Sequence, residues 1–171
     1  VAVDGNTAVG FEAGKVTTGA NNTYLGFKSG KGASGADTGN VGVGSNTLLS
    51  ITSGENNVAV GHLALDALTD GDLNVAIGTS ALRANTTGSS NTALGVQSLD
   101  ATTTGSNSTA VGFDALGANT TGTRNVAVGT SALTANTTAD NNAAVGLDAL
   151  RENTTGTQNV AVGAYALDAN T

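Results

Sequence analysis

The chain has 171 residues, six of them Lys or Arg and thirteen Asp or Glu, for a net charge of −7, a balance that works against nucleic acid and anionic membrane surfaces as partners. The absence of Cys removes disulfides and thiolate metal sites, and aromatics at 3% leave too few large side chains to fill a broad layered core. Pro is also absent and Gly does not recur at every third residue, which excludes collagen, and no apolar run reaches the length of a membrane span.

From the first residues onward one unit repeats. A Gly closing a small apolar triplet falls at Gly10, Gly26, Gly44, Gly61, Gly78, Gly95, Gly112, Gly129, Gly146 and Gly163, with spacings of seventeen after an initial sixteen and eighteen. Disordered low-complexity chains have no reason to hold apolar residues in register over ten copies. A unit this short cannot bury its own apolar face, so each copy needs its neighbours. The fold expected is therefore all-β, a parallel β-solenoid or β-roll of about ten 17-residue coils. It forms a single repeat region over 1–171, with irregular coils at 6–39 and regular coils at 40–171.

The two irregular coils carry Lys15, Lys28 and Lys31, have Gly14 and Gly30 where later coils have Leu, and place Asp37 in an enlarged turn. The Gly-rich stretch from Gly26 to Gly44 lacks the nucleotide fingerprint and a following long helix, so it reads as an irregular turn. In the regular unit Asn74–Ser90, Val75-Ala76-Ile77 is a short strand closed by Gly78. A second short strand is expected through Ser80-Ala81-Leu82-Arg83, followed by a turn at Asn85-Thr86-Thr87-Gly88. At about 4.8 Å per parallel strand, the stack is a rod of about 45–50 Å.

Equivalent residues then form columns. Asn57, Asn74, Asn91, Asn125, Asn142 and Asn159, interrupted by Ser108, should bond amide to amide and amide to turn backbone. Leu65, Leu82, Leu99, Leu116, Leu133, Leu150 and Leu167 are the one large side chain per coil and should fill the interior. The Ala before them, as at Ala64, Ala81 and Ala115, should face the opposite way and allow close approach of another surface. Triplets such as Val58-Ala59-Val60 and Val126-Ala127-Val128 are apolar throughout, so both strand faces want cover. Either the flanking pair or the central Ala points inward. Both assignments leave an apolar stripe along the rod that a closed homo-oligomer would hide.

No catalytic, cofactor or metal constellation emerges, and an enzyme is not expected. His62, the one His, sits in a variable position without an acid or nucleophile at fixed distance. Asp66, Asp70 and Asp72 cluster, yet the Gly-Gly-x-Gly-x-Asp calcium repeat does not recur, and a solvated turn is expected there. The Thr pairs, from Thr86-Thr87 to Thr154-Thr155, form an outer rim, with Asn-x-Thr glycan acceptors at Asn85, Asn119, Asn136 and Asn153. Lys15, Lys28, Lys31, Arg83, Arg124 and Arg151 stand out on this rim as candidate surface-binding residues. Regular Thr also keeps an ice-binding solenoid open as an alternative, beside a secreted matrix or surface-layer component. The chain stops in mid-repeat at Asn170-Thr171, which suggests an excerpt from a longer fibre.

Asn91-Thr92-Ala93-Leu94-Gly95, Thr109-Ala110-Val111-Gly112 with Ala115-Leu116, and Asn119-Thr120-Thr121-Gly122 carry a resemblance. They are similar to the head and shaft repeats of trimeric autotransporter adhesins. In unit length they more closely resemble repeats of bacteriophage tail-fibre proteins with a self-cleaving endosialidase-type chaperone domain. The likeness covers nearly the whole chain, is specific for architecture rather than ligand, and departs from the adhesin-head unit by a longer turn. It implies left-handed β-rolls, intertwined or side by side in a homotrimer, extracellular on a cell or virion surface. The implied role is an adhesive or spacer segment whose partners are its own copies and a host-surface glycan or protein, with neither nucleic acid nor membrane contacted by this segment.

Overall fold

A computed structural model describes residues 5–32 and 35–170. The ten triplets form ten three-residue strands: β1 (Thr7–Val9), β2 (Thr23–Leu25), β3 (Val41–Val43), β4 (Val58–Val60), β5 (Val75–Ile77), β6 (Thr92–Leu94), β7 (Thr109–Val111), β8 (Val126–Val128), β9 (Ala143–Val145) and β10 (Val160–Val162). They lie in a single sheet in chain order. Every pair is parallel and in register, as in Val58 opposite Val75, Ala59 opposite Ala76 and Val60 opposite Ile77. The chain is thus an all-β parallel β-solenoid of about ten coils of seventeen residues, one strand to a coil.

The strand faces resolve the alternative left by the triplet. The central Ala59, Ala76, Ala93, Ala110, Ala127 and Ala144 are fully buried, while the flanking residues lie on the outer side, half-buried or exposed. Inside, they share the core with Leu48, Leu65, Leu82, Leu99, Leu116, Leu133 and Leu150. Leu167, in the last coil described, has no coil stacked above it and is exposed. A small residue on the strand and a large one six positions later divide the narrow interior between them.

The second strand expected at Ser80–Arg83 does not form; turns occupy 79–84 in its place. The reason is backbone hand. Ser80 has φ 59° and Leu82 φ 51°, and the Leu column keeps a left-handed φ from Leu48 (49°) to Leu167 (52°). In a strand, consecutive side chains point to opposite faces; a left-handed residue breaks that alternation. Ala81 and Leu82 therefore both enter the core, as do Ala64 with Leu65 and Ala115 with Leu116. These Ala residues face inward, correcting the expectation that they would offer an outer surface. Left-handed Leu costs about 1–2 kcal/mol per residue, which burying its side chain, at about 1.5–3 kcal/mol, offsets.

Hydrogen bonding between coils continues beyond the strands. Ser80 N donates back to His62 O (2.9 Å), while Leu82 N and Ala84 N donate forward to Ser98 O and Asp100 O (both 3.0 Å). Backbone groups of the turns are thereby satisfied along the axis, as those of the sheet are. The Gly closing each strand from β1 to β9 is required twice over. Gly112 has φ 136°, and a Cβ there would lie 2.5 Å from the Gly129 carbonyl oxygen of the next coil.

The second coil follows the same interior rule with the sizes exchanged. Tyr24 occupies the central triplet position, where later coils have Ala, and is buried. Six residues on, Gly30 leaves the Leu position empty, and a Cβ added there would run into the Tyr24 ring. Gly14 and Gly42 make room on either side: their added Cβ atoms would lie 3.3 Å from Tyr24 Cδ2 and 3.1 Å from Cδ1. One ring thus fills space that several coils leave open.

Candidate functional site

The Asn column is an internal hydrogen-bond ladder. Asn74 N and Nδ2 donate to Asn57 Oδ1 (2.9 and 3.0 Å), and Nδ2 also donates to Gly88 O (2.9 Å). Asn91, Asn142 and Asn159 repeat the backbone bond to Asn74, Asn125 and Asn142. Ser108 keeps the ladder continuous, donating its N–H to Asn91 Oδ1 and accepting from Asn125 N through Oγ. From Asn57 to Asn142 these amides are consumed by the fold and present nothing to a ligand.

A second internal Asn column was invisible in the sequence as such. Asn85, Asn119, Asn136 and Asn153 are buried. Asn85 Oδ1 accepts from Gly88 N and its Nδ2 donates to Gly88 O, both at 2.9 Å. Asn136 Nδ2 donates to Asn119 Oδ1 at 2.9 Å. The Asn-x-Thr sequences expected to offer glycan acceptors therefore hold their amides inside the folded solenoid. In the Thr rim the first Thr of a pair is similarly committed, since Thr86, Thr103 and Thr120 each donate their hydroxyl to the Thr carbonyl of the next coil, while the second, as at Thr87 and Thr104, is exposed. Outside, Asp72, Ser89, Ser106 and Asp140 form a column whose side-chain oxygens accept an N–H from the coil before.

Asp37, expected in a turn, is also buried: Tyr24 Oη donates to its Oδ2 at 2.8 Å, and Oδ1 has no hydrogen-bond partner. Burial pushes its carboxyl pKa up against the opposing effect of the Tyr24 hydrogen bond. Burial, and then the hydrogen bond to Asp37, push the Tyr24 hydroxyl up as well. Asp66 and Asp100 are raised by partial burial, countered by the Arg83 guanidinium between them. Arg83 Nη2 donates to Asp100 Oδ2 at 3.4 Å, while Asp100 Oδ1, 3.0 Å from Arg83 Nε, is not in line for a hydrogen bond and makes a charge contact. Asp70 is lowered by hydrogen bonds from Ser53 and Thr52. Among the described residues no group of three or more His, Asp or Glu is placed to hold a metal ion.

The six basic residues separate into two sets. Arg83 pairs with Asp100, Arg151 with Glu152 (2.9 Å), and Arg124 donates to Asn141 Oδ1 (2.9 Å) with Asp140 at 4.0 Å. They are spread along the rod. Lys15, Lys28 and Lys31 instead come together on the first two coils. Lys15 and Lys31 share Glu12 at 2.6 and 2.8 Å, and these contacts, with Lys15 first, hold its carboxyl at about 2. Lys28 lies over the Phe27 ring, 4.8 Å from its centroid. Phe27 stacks on Phe11 with centroids 5.6 Å apart and 13° between the planes.

Along the outer side of the sheet runs the apolar stripe expected from the triplets, with Ile77 38%, Leu94 45% and Val145 39% exposed among its members. No helix among the described residues is long and apolar enough to cross a membrane. No protein-family model matches the chain, and neither a curated protein nor a solved structure matches it.

Proposed function

We propose that this chain is a stiff, non-enzymatic segment of a homotrimeric surface or virion fibre, which extends the fibre and takes part in attachment to a host or other surface. The observation that carries the reading is the outer apolar stripe on β1–β10. Its side chains recur once per coil, so a partner that matches it along the whole rod needs the same axial rise, and another copy of the same repeat has it. Burying such a stripe between copies removes apolar surface from water at about 25 cal/mol per Å². Extracellular placement, left-handed coiling and a chain count of three come from the resemblance to adhesin and tail-fibre repeats. The interior explains Asn, Gly and Leu at their columns as packing and hydrogen bonding alone, which supports a mechanical role over catalysis.

Sedimentation velocity of the purified chain tests the assembly. The wild type should sediment as a trimer at micromolar concentration, and Val126→Asp with Val128→Asp should give monomers that keep a β circular-dichroism spectrum. Both residues lie outside the coil, so the fold should survive. A wild type that is monomeric across that range, or a double variant that stays trimeric, refutes the assignment of this face.

A further inference from the structure

We propose that the first two coils carry a binding site for a carboxylate-bearing saccharide, formed by the stacked Phe11 and Phe27 rings together with Lys15, Lys28 and Lys31. The proposal rests on the fibre reading, and identifies the chemistry of what the fibre would touch.

The position after the strand-closing Gly is occupied by small or polar residues in Ser45, His62, Thr79 and Thr130. Phe11 and Phe27 depart from that, at 66% and 46% exposed. Large apolar side chains recur at the same place in Val96, Phe113 and Leu147, yet Phe113, the one other ring, has Val96 and Thr130 as its neighbours in the column. Only the first two coils place ring on ring. The in-register stacking of the solenoid holds these rings nearly parallel, one over the other, and leaves both partly exposed, an apolar surface that can pack against the C–H groups of a sugar ring.

Charge selects the class of sugar. All three lysines of the chain lie on the first two coils, where Lys15 and Lys31 share the carboxylate of Glu12 and the other carboxylate, Asp37, is buried, on a molecule whose net charge is −7. Lys28 has no carboxylate partner among the described residues and sits over Phe27, where a carboxylate on a stacked sugar can meet its ammonium. Lys15 and Lys31 also line, with Val16, Gly32 and Leu49, an open cleft of about 450 Å³ on the first three coils, within the size range of small-molecule sites. A nucleic-acid strand, by contrast, would carry its phosphates on past the patch along an acidic rod, where repulsion sets in.

The test is NMR titration of the intact chain with hyaluronan tetrasaccharide, an oligogalacturonate tetramer and neutral maltotetraose. Either acidic sugar should shift the Phe11 and Phe27 ring protons and the Lys28 side chain. Binding should weaken about tenfold in Phe27→Ala and severalfold in Lys28→Gln, fall with added salt, and be weaker still for maltotetraose. Equal binding of maltotetraose, or no shifts at millimolar acidic sugar, overturns the proposal. So does a Phe27→Ala variant that loses its oligomeric state, since the rings would then be a contact between chains. Sedimentation of the same samples keeps a failed sugar site distinct from a failed fibre assignment.

Discussion

Tyr24 and Gly30 offer a sharp test of how the solenoid interior is filled. Each regular coil pairs a small strand residue with a Leu six positions later, as in Ala59 with Leu65, whereas the second coil pairs Tyr24 with Gly30. Tyr24→Ala removes a buried ring, costing about 3–5 kcal/mol. It also leaves the other Asp37 oxygen without its donor, a loss of about 1–3 kcal/mol. Gly30→Leu alone drives a side chain into the ring and should cost about 1–3 kcal/mol or more. The backbone itself does not object, because Gly30 has φ 60° and Leu48 adopts 49° at the equivalent place. In the double variant the clash is gone and the Leu refills part of the cavity, so it should be about 1–3 kcal/mol more stable than the two single costs summed. Recovery stays partial, since Asp37 remains unpaired and Gly14 and Gly42 no longer meet a ring. Native-state hydrogen exchange at the Gly26, Gly30 and Gly32 amides, which bond to Val9, Thr47 and Leu49, reads the cost locally where a whole-rod melt would not. Additive effects would show that the ring does not occupy the Leu place.

Three further outcomes follow from single positions. Gly112→Ala should break coil stacking at that point, with exchange protection lost at Gly112 and Gly129 and kept in distant coils; unchanged protection would contradict the close approach to the Gly129 carbonyl. Leu73 is 59% exposed at φ 58°, where the equivalent residues include Asn56 and Asn107, so Leu73→Gly should raise stability by about 1 kcal/mol in urea unfolding, and a loss would refute the strain argument. Asp37 has a folded pKa above its ordinary 3.8, so its contribution is fully present below that value and is lost as pH rises through the raised one. Amide protection around Asn22 and Gly39 should therefore fall with rising pH after correction for intrinsic exchange. Asp37→Asn should flatten that dependence, and an identical pH profile in the variant would exclude Asp37 as its source.

The period, the strand triplet and the Asn-Thr-Thr-Gly turn were legible because each has a local chemical signature that recurs. The hand of the backbone at Leu was not, because nothing in Ser-Ala-Leu-Arg marks a positive φ, and alternation was the natural default. A clue was nevertheless present. Gly14 and Gly30 stand in the Leu column, and Gly is the residue expected where φ is positive. The same substitution signals the size exchange with Tyr24, which appears only when columns are compared within one coil as well as between coils. The buried Asn85 column was hidden for a different reason: Asn-x-Thr is read as a surface motif, whereas here the following Thr and Gly form a turn that closes over the amide.

The triplet could not disclose its own facing because Val-Ala-Val is apolar at every place. Volume decides it. An interior shared with Leu has room for a methyl group opposite, so Ala turns inward and the larger flanking residues turn out, making the apolar stripe a consequence of core packing. The same in-register stacking governs the basic patch. In a globular surface loop, two Phe residues sixteen apart have no fixed relation; on successive coils they are held ring over ring. The solenoid therefore turns a substitution made in two successive units into an ordered surface, which is how a rod built from a nearly uniform repeat can acquire a local specificity without departing from its fold.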